Sequence, residues 1–183
     1  IAKPNTCGNQ VCDDGENQCS CAQDCGRCDR RTPSLTYGCK EGVCAADVNL
    51  IAIRTQTLLD ERQLPFFKIK TMFTFKNPFE VNKEEFNLDF RLISKGDDVD
   101  KGVITSISLM DGQQVIAQVT PNTEISKTGL ENQQSATLSI GDIGTDEIQA
   151  AYTIRVDYKS MKGDEGTPGY FTKPLGKIRY IQP

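Results

Sequence analysis

The chain has 183 residues, a formal net charge of −4, eight cysteines and no histidine. That length holds one sizeable domain and a small appendage, not two large domains. The acidic balance argues against nucleic acid and against an anionic membrane surface, which both favour a basic footprint, and leaves proteins, glycans and cations as partners.

Residues 1–46 read as a disulfide-rich domain. Cys7, Cys12, Cys19, Cys21, Cys25, Cys28, Cys39 and Cys44 all fall here, and no cysteine follows. Apart from Cys and Ala, the apolar side chains up to Asp47 are Ile1, Val11, Leu35, Tyr37 and Val43. They are too few to offset the entropy of ordering the segment, so cross-links must hold it. An even set of cysteines among Asp, Gly, Asn and Gln is the pattern of a disulfide framework in an oxidising compartment. In the chain-entropy model a bridge closing about 15 residues contributes roughly 3 kcal/mol. Zinc is the competing reading, because Cys25 and Cys28 form a C-x2-C pair that Cys39 and Cys44 would complete. The irregular spacing of Cys7, Cys12, Cys19 and Cys21 weighs against it. Cys21, Cys25 and Cys28 also have the spacing of an iron–sulfur motif of radical enzymes, whose large α/β barrel does not fit this length. Cys7–Cys12 and Cys39–Cys44 share the pattern C-x3-V-C and read as matching bridged turns. Which cysteine bonds to which stays open, since eight cysteines allow roughly a hundred pairings.

Asp13, Asp14, Glu16 and Asp24 place hard oxygen donors on the same glycine-containing loop and are candidate calcium ligands, although their spacing is not that of an EF-hand. The loops Asp97-Asp98-Val99-Asp100 and Gly141–Asp146 are weaker candidates of the same kind.

The run CGNQVCDDGENQCSCAQDCG, residues 7–26, resembles a cysteine-rich motif of secreted archaeal and bacterial cell-surface proteins, written CGxGxCxxGE followed by a Cys cluster and DCG. The matching residues are Cys7, Gly8, Cys12, Gly15, Glu16, Cys19, Cys21, Asp24, Cys25 and Gly26. Gln10 stands where glycine is usual, and Ala22 where proline is usual. The resemblance implies an extracellular, surface-associated setting. Ile1 in place of Met is in keeping with removal of a leader.

Residues 47–183 read as strand after strand. Val48–Ile53 opens the series, and Thr57–Gln63 is the only stretch that suggests a turn of helix. Phe67, Ile69, Phe73 and Phe75 alternate with Lys68, Lys70, Thr74 and Lys76, the period of a sheet with one wet face. Phe86, Leu88, Phe90 and Leu92 repeat it. Ile104–Met110 and Gln113–Val119 flank Asp111-Gly112, which predicts a hairpin with a type I′ loop. Further strands are expected at Ala136–Ile140, at Ile148–Tyr158 with Ile148, Ala150, Tyr152, Ile154, Val156 and Tyr158 inward, and at Lys177–Ile181. This pattern predicts an all-β chain with an antiparallel β-sandwich. The strand Ala151-Tyr-Thr-Ile-Arg-Val156 resembles the tyrosine-bearing strand of immunoglobulin-like domains. The domain has no Cys or Trp, so a fibronectin-like or other surface-protein sandwich fits better than an antibody type.

Catalysis finds little footing. Without histidine there is no Ser-His-Asp or Cys-His arrangement, and the neighbouring acids Asp60-Glu61 and Glu84-Glu85 read as solubilising charge. Tyr37, Tyr170 and Phe171 fall in expected loops, where aromatic rings serve glycan binding. The C-terminal run from Gly176 reads as a last strand whose edge is open to another chain. The preferred expectation is a non-enzymatic structural subunit of an extracellular filament, pilus or surface layer, with copies of itself or other surface proteins as partners. The alternative is a calcium-dependent or glycan-binding adhesion module. No stretch approaches the roughly 20 apolar residues of a membrane span.

Overall fold

The structure, a computed structural model, describes residues 7–49 and 53–183. It is mostly β, with a disulfide-rich N-terminal region. Contacts divide the chain into one unit that ends at Ile53 and another that spans Arg54–Gln182.

The division falls later than the boundary expected near Ala45–Asp47. Strand β1 (Leu35–Lys40) pairs antiparallel with β2 (Val43–Val48), placing Leu35 opposite Val48. Val48 therefore closes the first unit's hairpin instead of opening the second unit, and Leu50–Ala52 of the expected strand lie outside the described residues. Glu41 and Gly42 form the two-residue loop, both with positive φ, 49° and 83°. That is the type I′ pattern.

Four disulfides join Cys7 to Cys21, Cys12 to Cys25, Cys19 to Cys39 and Cys28 to Cys44. The first two tie the N-terminal loop to the short helix α1 (Ala22–Cys25) and the residue before it; the other two reach the hairpin. The C-x3-V-C stretches do not close on themselves. Cys39 and Cys44 face each other across the hairpin, yet each bonds to a cysteine outside it. Among the described residues of this unit only Cys21, Cys28, Ser34 and Leu35 are buried, so cystine occupies the place of an apolar core.

The second unit contains β3 (Arg54–Gln63), β4 (Phe67–Asn77), β5 (Phe79–Glu80), β6 (Phe86–Lys95), β7 (Lys101–Asp111), β8 (Gln114–Val119), β9 (Thr123–Ile125), a 3-10 turn (Leu130–Asn132), β10 (Gln134–Leu138), β11 (Glu147–Lys162) and β12 (Glu165–Ile181). One sheet has the order β10-β6-β4-β3. The other has the order β5-β12-β11-β7-β8, with β9 against the first half of the same edge of β7. All pairings between these strands are antiparallel except β5 with β12.

Inward residues of both sheets enter one apolar core, including Phe67, Ile69, Phe73 and Phe75 from β4, Phe86, Leu88, Phe90 and Leu92 from β6, and Ile154, Val156 and Tyr158 from β11. Phe67 of one sheet meets Tyr158 of the other edge-on at 5.3 Å, and Phe79 stacks on Phe86 at 4.6 Å. Burying such a side chain contributes about 1.5–3 kcal/mol.

Several expectations are corrected. Thr57–Gln63 is strand, because β3 pairs with β4 along its whole length, from Arg54 opposite Asn77 to Gln63 opposite Lys68. Ladder pairing here overrides a helix-favouring composition. The β7–β8 loop is Gly112-Gln113, since Asp111 pairs with Gln114. Only Gly112 has positive φ, 57°, which is the type II′ arrangement with glycine first. Ile148 is 41% exposed, because β11 gains its second neighbour, β7, only from Thr153 onward. The end of β12 is not an open edge: Tyr180 and Ile181 pair with β5, and the Val81 amide donates to the Ile181 carbonyl at 2.9 Å.

Candidate binding surface

Three of the four expected calcium ligands, Asp13, Glu16 and Asp24, take part in hydrogen bonds that brace the N-terminal loop. Asp24, in α1, accepts backbone N–H groups of Gly8, Asn9 (3.1 Å) and Gln10 (3.0 Å). Gly8 and Gln10 both have positive φ, 106° and 70°, so successive amides turn toward one carboxylate. Gln10 thus occupies the left-handed conformation suited to glycine. Asp13 accepts from Asn9 Nδ2 at 2.8 Å, and its amide donates to Glu16 Oε2 at 3.3 Å. Asp14 is exposed. These four carboxylates form no common cluster among the described residues. The groups close enough to share an ion are Cys19, Cys28 and Cys39, and Cys7, Cys21 and Asp24, whose sulfurs are all in disulfides. No thiolate remains for the zinc alternative.

The other acidic loops are also internally engaged. Asp100 accepts the Gly163 amide and Asp142 the Gly144 amide, each at 2.7 Å. The Gly144 bond, with the Gln182 side chain, holds the Asp142 carboxyl below its usual range.

The more distinctive chemistry lies on the outer face of the six-stranded sheet. Tyr170 is in β12 and not in a loop; Phe171 beside it points into the core while Tyr170 is 61% exposed. Tyr37 likewise sits on a strand, β1. Ile154, Val156 and Tyr158 face inward, so Arg155 and Asp157 of β11 must face outward. The Arg155 guanidinium lies 4.2 Å from the Tyr170 ring centroid, and its Nε and Nη2 donate to Asp157 at 2.8–3.2 Å. The Asp157 carboxylate raises the Arg155 pKa. Across the next pairing, Ser108 lies opposite Arg155 and Ser106 opposite Asp157. Gln118 of β8 donates to both hydroxyls, at 2.8 and 3.1 Å.

Four neighbouring strands thus present an exposed ring, an internally neutralised ion pair, the partly exposed Ser106 hydroxyl and the Gln118 amide, which covers the buried Ser108. Because these groups hold one another, little side-chain entropy remains to be lost when a ligand settles on them. The outward phase of Arg155 and Asp157 was readable from the alternation of β11. Their partners on β7, β8 and β12 depend on strand register, which no local pattern encodes.

The chain matches no protein-family model, no curated protein and no solved structure. No helix among the described residues is long and apolar enough to cross a membrane.

Proposed function

We propose that the chain is an extracellular, non-catalytic adhesion module in which an immunoglobulin-like β-sandwich binds neutral glycans through the outer face of its six-stranded sheet. The observation that carries this reading is Tyr170: a largely exposed aromatic ring in mid-strand, fixed by Arg155, beside hydrogen-bonding groups without net charge. A sugar ring lays its C–H face on such an aromatic and directs its hydroxyls to neighbouring donors and acceptors. The sandwich reading draws on β4, β6 and β10 in one sheet and β7, β11 and β12 in the other, with the chain crossing between the sheets at β4–β5, β5–β6, β6–β7, β9–β10 and β10–β11. The extracellular setting draws on the four disulfides.

Growth into a polymer by strand addition has less support. The long edge strand β3 carries inward-facing charge, with Asp60 bound to Arg62 and Lys173, and Arg62 donating to the Thr172 carbonyl at 2.7 Å. Inward charge on an edge opposes pairing with another chain.

A glycan array followed by calorimetry tests the proposal. Neutral oligosaccharides should bind in calcium and in chelator alike, and Tyr170→Ala should weaken binding by about tenfold or more. Silence across the array, or binding indifferent to Tyr170→Ala, would sink it. Concentration-dependent growth of the native protein into filaments would restore the structural-subunit reading.

A further inference from the structure

The outer face of the four-stranded sheet holds a cleft of about 200 Å³ whose lining includes Leu59, Lys70, Met72, Asp89, Arg91 and Leu130. Two features of its lining stand out. Leu59 and Leu130 are 58% and 72% exposed, against the burial of most large aliphatic residues in this unit. Leu130 is no loose end: its turn is braced by Asn132, whose side chain donates to the Thr128 carbonyl at 2.8 Å, while Thr128 bridges to Leu92 of β6. Gly129, with φ 112°, allows the turn, and a Cβ there would lie 2.4 Å from a Glu131 oxygen. The turn therefore holds an apolar side chain out into water beside the cleft.

The second feature is charge. Lys70 and Arg91 stand directly opposite each other in the β4–β6 register, a placement of like charges that costs stability. Both are half-buried, and among the described residues neither has an ion-pair partner. Of the carboxylates on the same face, Glu61, opposite Lys70, pairs directly with Lys68 and feels Lys70 and Arg91 only at longer range, and Asp89, at the cleft, accepts from the Ser135 hydroxyl.

We propose that this cleft binds an acidic segment of a partner protein, placing a large aliphatic side chain between Leu59, Met72 and Leu130 and the adjoining carboxylate against Lys70 and Arg91. The protruding leucines on an open sheet face suit a side chain offered by another surface, and a carboxylate relieves the repulsion of the cation pair. This site rests on observations separate from the Tyr170 face.

The test uses the full chain with labelled methyl groups and the probe peptide acetyl-Gly-Leu-Glu-Gly-amide. Saturable shifts are expected at the methyls of Met72, Leu59 and Leu130. Replacing Glu of the peptide by Gln should weaken binding about tenfold, the loss of one charge-assisted contact. Lys70→Gln with Arg91→Gln should abolish it, while Lys70→Arg and Tyr170→Ala leave it intact. The proposal is overturned if no shifts occur, if they map elsewhere, or if Glu and Gln peptides bind alike. It is equally overturned if the small acid 3-phenylpropanoate binds as tightly as the peptide, because a metabolite rather than a protein segment would then be the occupant.

Discussion

The two units reach order by opposite means. In the first, burial among the described residues is confined to Cys21, Cys28, Ser34 and Leu35, and four covalent bridges do the work of a core. In the second, aromatic and aliphatic residues of two sheets fill one interior with no cystine at all. Cross-links act mainly by restricting the unfolded chain, whereas a packed core stabilises the folded one. The first strategy frees nearly every side chain for the surface; the second spends alternate residues on the interior and leaves the others to build faces.

The contrast is broken most completely by reductant. Reducing all four bridges should unfold residues 7–49 while the β unit keeps its calorimetric transition, because each bridge is worth about 2–5 kcal/mol to a small domain. Loss of both transitions together would show that the units are not energetically separate. Next in size, Phe86→Ala removes a ring that stacks on Phe79 and leans on Phe75. It should cost the β unit about 3–5 kcal/mol in denaturant titrations, and leave the amide-exchange protection of the cystine unit unchanged.

Smaller effects sharpen the picture inside the first unit. Asp24→Ala strips the acceptor from three backbone amides, and should cost about 1–3 kcal/mol, read as faster exchange at Gly8, Asn9 and Gln10. Gln10→Gly should stabilise by about 0.5–1 kcal/mol, the relief of a left-handed residue less the added chain entropy of glycine. A destabilised Gln10→Gly variant would mean that the Gln10 side chain supplies a contact that outweighs its backbone.

Much of the β unit was legible because half-wet strands write their orientation into alternating residues. Strands β4 and β6 follow their apolar phase closely, with Phe67, Ile69, Phe73 and Phe75 and then Phe86, Leu88, Phe90 and Leu92 all buried. Strand β3 was not legible. As an edge it needs few apolar residues, and Leu58 and Leu59 side by side amid Asp, Glu, Arg and Gln give no period of two. The hairpin loops show a similar limit. Asp111-Gly112 has the composition of a type I′ loop, but that geometry occurs at Glu41-Gly42, because strand register decides which two residues are left unpaired. Cystine connectivity and the Tyr170–Arg155–Gln118 row were out of reach for one reason: both are set by residues distant in sequence that meet only after folding.

The parallel pairing of β5 with β12 has a mechanical implication. Asn77 brackets the end of β12 from the side, its Oδ1 accepting the Arg179 amide at 3.1 Å, just before β5 runs alongside Tyr180 and Ile181. A pull that drew the two ends of the β unit apart would load these bonds sideways and together, whereas an antiparallel hairpin peels open one rung at a time. A domain tethered by its ends would therefore resist tugging at the place where β5 and the last strand run side by side.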